Sequence, residues 1–145
     1  MDDCGNKTTN STTAPMRIGH LTLLVNDYDE AIFFYTQKLG FILLEDIQLT
    51  PEKRWVIVAP SDARGAGLLL AKAATDEQKQ HIGNQTGGRV FLFLYTDDFW
   101  QTYENMKAQG VVFLEEPRSE PYGWVVVFQD LYGNKWDLLE SKSNA

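Results

Sequence analysis

The sequence predicts an α+β fold made of two βαβββ modules packed side by side, and three observations carry that expectation. A β-rich run, a helix cap, an apolar helical stripe and a closing glycine occur in that order twice, as HLTLLVNDYDEAIFFYTQKLG and as FLFLYTDDFWQTYENMKAQG. Each copy is followed by three further strand-like runs. The two copies repeat at about seventy residues, a period too long for a solenoid unit and suited to two copies of one supersecondary module.

Residues 1–15, MDDCGNKTTNSTTAP, are polar and hold the single cysteine, Cys4. With neither a basic start nor an apolar segment they do not form a secretory signal, and they are expected to be a disordered tail. The first module is expected over about 16–74. HLTLLV (20–25) is its first strand, and Asp27 with Glu30 three places on forms a capping-box start for a helix. Ala31, Ile32, Tyr35 and Leu39 recur at helical spacing, and Gly40 supplies the left-handed residue that ends the helix. Strands are expected at FILLEDIQL (41–49), RWVIVA (54–59) and GLLLAKA (67–73).

The segment ATDEQKQHIGNQTGG is polar and glycine-rich, and reads as a linker with one short helical turn from Thr75. The second module, about 88–140, opens with the strand VFLFLYT (90–96). Asp98 with Gln101 makes a second cap, Phe99, Tyr103 and Met106 a second stripe, and Gly110 a second stop. VVFLEE (111–116), WVVVFQ (124–129) and KWDLLE (135–140) complete it.

Composition narrows the function. A chain of 145 residues can bury roughly two thirds of its unfolded surface in one domain without a covalent staple. A formal charge of −7 repels a phosphate backbone, and the basic residues are scattered, which argues against nucleic-acid binding. No run of about 18 apolar residues suggests a membrane span. One cysteine permits neither an internal disulfide nor a cysteine-based zinc site, and a reducing cytoplasm is the expected location. Motifs for a serine nucleophile elbow, a phosphate loop or an HExxH zinc helix do not occur. Arg64-Gly-Ala-Gly67 joins two strands and opens no helix, so it has no basis for binding phosphate.

Taken together, HLTLLVNDYDEAIFFYTQKLGF, the Gly110-Val111 boundary and the closing FQDLYGNKWDLLE resemble the vicinal oxygen chelate superfamily, over nearly everything from Met16 to Glu140. That group contains glyoxalases, bleomycin-resistance proteins, fosfomycin-resistance enzymes and extradiol dioxygenases. The resemblance implies that the two modules form a curled mixed sheet, a cup, with a divalent ion at its floor in active members. It places the first metal position at His20 and the fourth at Asp137, where the family usually has Glu. The counterpart of His20 in the second module is Phe91, and Ala66 to Ala71 offer no carboxylate, histidine or amide. At most two family ligands remain, fewer than the three protein ligands of catalytic zinc and non-haem iron sites. The other histidine, His81, lies in the linker.

Aromatic and apolar side chains stand where ligands would be. Period-two alternation places Thr22 and Leu24 with His20, and places Phe93 and Tyr95 with Phe91 if that residue faces the cup. Trp55, Trp124 and Trp136 fall on or beside strands, and Arg54, Arg118 and Tyr122 fall at strand or loop edges. The expected function is therefore capture of an aromatic or amphipathic compound in an apolar cup, without a cofactor. The expected ligand-binding residues are His20, Thr22, Trp55, Phe91, Phe93, Tyr95, Trp124 and Asp137. The alternative is a glyoxalase- or dioxygenase-like enzyme, a lyase or oxidoreductase, holding a weakly bound divalent metal at His20 and Asp137. Whether a reaction is catalysed stays open at this level. The resemblance also implies a homodimer, with each cup built within one chain or across two.

Overall fold

The computed structural model describes residues 13–61 and 64–141, so most of the expected tail, including Cys4, lies outside the described residues. The element order is β1 (His20–Val25), α1 (Tyr28–Phe33), β2 (Ile42–Gln48), β3 (Arg54–Ala59), β4 (Gly67–Lys72) and α2 (Asp76–Gln80). It continues with β5 (Leu92–Thr96), α3 (Phe99–Ala108), β6 (Val112–Phe113), β7 (Arg118–Glu120), β8 (Gly123–Gln129) and β9 (Lys135–Glu140). No helix among them is long and apolar enough to cross a membrane.

Each half builds its own mixed sheet. The first has the order β1-β4-β3-β2, with β1 parallel to β4 and the other pairs antiparallel. The second has the order β5-β9-β8-β6, again with one parallel pair, β5 with β9, and with β7 alongside β8. The run expected as one strand at 111–116 is shorter, and β7 is an additional strand in the second half.

Both cap aspartates accept the backbone N–H expected of them. Asp27 Oδ2 accepts the Glu30 N–H at 2.9 Å, and Asp98 Oδ1 accepts the Gln101 N–H at 3.2 Å. The last turns of the first helix, Phe34–Lys38, widen into a π-helix. This turn carries Tyr35, fully buried, toward the second half. Glu30 does not complete a capping box, because its carboxylate takes the Tyr132 hydroxyl at 2.7 Å.

Alternation divides each sheet. On the first, Leu23, Val25, Val56, Val58, Leu68 and Leu70 point to α1 and are buried. On the second, Trp124, Val126, Phe128, Trp136 and Leu138 share one face; all but the half-buried Trp124 are buried. Phe41 and Tyr35 meet Trp136 at 6.0 and 6.1 Å, so one core spans both halves. Asp130, at the β8–β9 turn, is buried at 2 % exposure and accepts the Tyr35 hydroxyl at 2.7 Å. Burial and the Asp130 carboxylate hold the Tyr35 phenol well above its usual range, so it remains a donor.

The linker is stitched to both halves. The Gln85 side-chain amide acts as one residue of an extra strand on the outer edge of β1. Its oxygen accepts the Leu24 N–H at 2.9 Å and its nitrogen donates to the Thr22 carbonyl. Gly83, at φ 80°, packs on the Tyr132 backbone so closely that a Cβ would sit 2.0 Å from the carbonyl oxygen.

Candidate functional site

The faces of the two sheets turned away from the helices remain open, and the sequence-derived candidates divide between them. On the first sheet, His20, Thr22 and Leu24 of β1 pair with Gly67, Leu69 and Ala71 of β4. Ile57 and Trp55 of β3 continue the same face by register. Trp55 is held in place from two sides. Its indole N–H donates to Glu45 Oε1 at 2.7 Å, and the His20 ring meets it edge-on at 6.0 Å. A cavity of about 720 Å³ opens here, with Thr22, Leu24, Leu69, Ala71 and Trp55 in its lining. Its volume lies within the range of small-molecule sites.

The second sheet carries Phe93, Tyr95 and Asp137 on its open face. Asp137 is paired in register with Phe93 on one side and Val127 on the other. Phe93 and Tyr95 are 57 % and 63 % exposed, far more than aromatic rings of this size usually are. Asp137 is half-buried, and its Oδ1 is covered without a hydrogen-bond partner among the described residues. The adjacent Arg118 guanidinium is engaged elsewhere, by Glu115 at 3.0 Å and Glu120 at 2.6 Å.

Burial raises the Asp137 carboxyl above the ordinary aspartate range; Arg118 opposes the shift and Glu115 adds to it. A raised folded-state value means that the folded chain binds more protons between the unfolded and folded values. Stability therefore falls as pH rises through that window, which begins at about pH 4. Asp137→Asn is expected to be at least as stable as the parent at neutral pH, with the advantage shrinking as pH falls through that window and gone by about pH 4. Thermal unfolding of both proteins across that range measures it. A variant less stable than the parent at neutral pH, with the deficit vanishing in acid, would mean that the carboxylate is paired.

Two expected ligand residues lie elsewhere. Phe91 precedes β5, where strict alternation has not begun. Its ring packs edge-on to Trp136 at 6.4 Å, and its N–H donates to the Lys135 carbonyl at 2.7 Å. Trp124 is on the helix side of β8, against Phe99 at 6.4 Å and Trp100 at 5.0 Å. Both belong to the core and not to an open face. Arg54 is also unavailable to a ligand anion. Its guanidinium is shared by Asp46 at 2.7 Å and Asp29 at 2.8 Å and lies over the Tyr28 ring. Sequence reasoning missed Tyr28, Leu69 and Ala71 as lining residues. The parallel β1–β4 pairing brings the last two beside Thr22 and Leu24, and strand adjacency of this kind has no local signal.

Among the described residues of one chain, the two expected metal donors are not brought together. His20 belongs to the first sheet and Asp137 to the second, and no hydrogen bond, ion pair or ring contact joins them among the described residues. No three His, Cys, Asp or Glu side chains converge among those residues either. Two separated donors fall short of the three that a catalytic ion requires.

The family model for the glyoxalase/bleomycin resistance protein/dioxygenase superfamily matches residues 17–138. An uncharacterized protein of Shewanella frigidimarina is 56 % identical over 124 residues, covering 85 % of this chain and 92 % of its own. A lactoylglutathione lyase of Neisseria meningitidis is 26 % identical over 132 residues, covering 88 % and 93 %. Among solved structures, UcmS2 superposes with a TM-score of 0.76 at 32 % identity, over 88 % of this chain and 100 % of that one. TnmS3, an antibiotic binding protein from Streptomyces sp. CB03234, superposes with a TM-score of 0.73 at 27 % identity, over 90 % and 99 %. Matched from its first strand into its last, the chain belongs to the glyoxalase/bleomycin resistance protein/dioxygenase superfamily.

Proposed function

We propose that the protein captures an aromatic or amphipathic small molecule on the open face of the first sheet, without a catalytic metal, in the cytoplasm. The observation that carries this reading is the 720 Å³ cavity with Trp55 fixed at its wall. Thr22, Leu24, Leu69 and Ala71 give an apolar floor with one hydroxyl, a surface on which a flat ring gains by burial and by contact with the indole. Similarity to an antibiotic binding protein supports a small-molecule ligand.

The same proposal includes a homodimer in which the open face of the second sheet, from the partner copy, closes the site. Support comes from the exposed Phe93 and Tyr95 and from β2, whose Ile42, Leu43, Leu44 and Ile47 are all at least 40 % exposed. Closure of this kind brings Asp137 to the ligand, where its covered oxygen takes a donor.

Titration of tryptophan emission with a panel of aromatic compounds tests the reading. Saturable quenching at micromolar concentration is expected. No response from any compound at that level would sink it.

A second reading is favoured by one observation, the unpartnered Asp137 carboxyl with its raised affinity for a proton. On that reading the protein is a lyase or oxidoreductase in which His20 and Asp137 serve as acid and base or hold a weakly bound divalent ion. Metal analysis of protein purified without chelator separates the two. The first reading expects far less than one ion per chain, and a stoichiometric ion would overturn it.

A further inference from the structure

The first sheet is split at one end. The ladder between β3 and β4 runs only from Val56/Leu70 to Val58/Leu68, although β3 begins at Arg54 and β4 continues to Lys72. Beyond Val56 and Leu70 each strand pairs only outward. Arg54 and Trp55 pair with Gln48 and Ile47 of β2, and Ala71 and Lys72 pair with Leu24 and Val25 of β1. The cavity reaches into this split, since Arg54, Trp55, Ala71 and Lys72 all contribute to its lining.

Tyr28, the first residue of α1, stands in the mouth of the split. It is 8 % exposed and lines the cavity, and its hydroxyl accepts the Arg54 N–H at 3.2 Å. That bond meets the backbone donor left over where the β3–β4 ladder stops. It uses a lone pair of the phenol and leaves the phenolic proton with no acceptor among the described residues. The result is a donor, oriented by the backbone, in a cavity whose apolar lining of Leu24, Leu69 and Ala71 is joined at the edges by Glu52, Lys53, Lys72 and Gln78. Arg54 does not compete for a ligand oxygen, because Asp46 and Asp29 occupy its guanidinium.

We infer that Tyr28 is a specificity-determining residue. It selects ligands with an aromatic frame that lies against Trp55 and carries an oxygen acceptor, a carbonyl or carboxylate, at the end entering the β3–β4 split. The inference rests on the cavity being the binding site proposed above and adds the chemistry of the ligand's polar end. A phenol donating one hydrogen bond in a partly closed site discriminates by roughly three- to tenfold for a neutral acceptor, and by more for an anionic one.

The test uses three tricyclic probes of one frame on the intact protein, with tryptophan quenching as the readout: fluorene, fluorenone and fluorene-9-carboxylate. The parent protein is expected to bind fluorenone or the carboxylate at least roughly threefold more tightly than fluorene. Whichever oxygenated probe binds better identifies the acceptor as neutral or anionic. Tyr28→Phe is expected to bring the preference to within about twofold. Because that variant also removes the partner of the Arg54 N–H, the quantity compared is the ratio of affinities within one protein. General loosening of the fold does not alter that ratio. Equal binding of all three probes by the parent, or a preference that survives in Tyr28→Phe, would overturn the inference while leaving the cavity as a binding site. If none of the three quenches, the inference falls together with the binding reading.

Discussion

Asp130→Ala is expected to lower folding stability by at least about 3 kcal/mol, the largest effect of any single substitution outside the hydrophobic core. The Asp130 carboxylate accepts four hydrogen bonds in a buried setting. They come from the Tyr35 hydroxyl at 2.7 Å, and from the Tyr132 N–H, the Asn134 N–H and the Asn134 Nδ2, each at 2.9 Å. Alanine leaves all four donors without their acceptor. The Tyr35 phenol, carried by the π-turn, is fully buried. The loss also uncouples the halves, because the Tyr35 bond ties α1 to the turn between β8 and β9. Asp130→Asn is expected to cost about half as much, since its amide nitrogen must face a donor. Urea unfolding followed by tryptophan emission gives both values. A cost below about 1 kcal/mol for the alanine variant would show that the turn holds its shape by backbone alone.

Ala71→Trp is expected to weaken binding of aromatic probes by at least about tenfold while changing stability by no more than about 1 kcal/mol. Ala71 is half-buried on the open face beside Leu24, and its side chain grows into the cavity and not into the core. A ligand must then displace or overlap the new ring. Trp124→Phe serves as the comparison, because Trp124 packs on α3 from the opposite side of the other sheet. That change is expected to leave affinity within about twofold. Undiminished binding by Ala71→Trp would place the ligand outside the first-sheet cavity.

Local signals carried much of this fold. Asp27, Asp98 and Thr75 cap the helices that their spacing implies, and Gly40 and Gly110 adopt the positive φ that their stop positions require. Arg54–Ala59 and Lys135–Glu140 form strands with the expected bounds. These features depend on a few neighbouring residues, so one sequence suffices to read them. The site was less legible. Tyr28 falls between a cap aspartate and a helical stripe, and Leu69 and Ala71 fall in an apolar strand, so none of the three carries a local signal of a site. Asp130 and Asn134, four apart around Gly133, form a turn whose side chains close on each other. The same stretch drew attention to Asp137 as the carboxylate with a function, whereas Asp130 is the one that organises the core.

The sequence by itself determined the duplicated strand–helix–strand order, the helix boundaries, the acidic single-cysteine character and the family, because each depends on short-range pattern. Only the tertiary structure decided which aromatic rings face a cavity and which are packed away. Trp55 stands on an open face while Trp124 and Phe91 are in the core, although all three lie on or beside strands. Strand alternation specifies that neighbouring residues face opposite ways, but the helix that covers one face of a sheet is placed by long-range packing. The separation of His20 from Asp137 and the split that admits Tyr28 have the same origin, in how two sheets and one helix share a core.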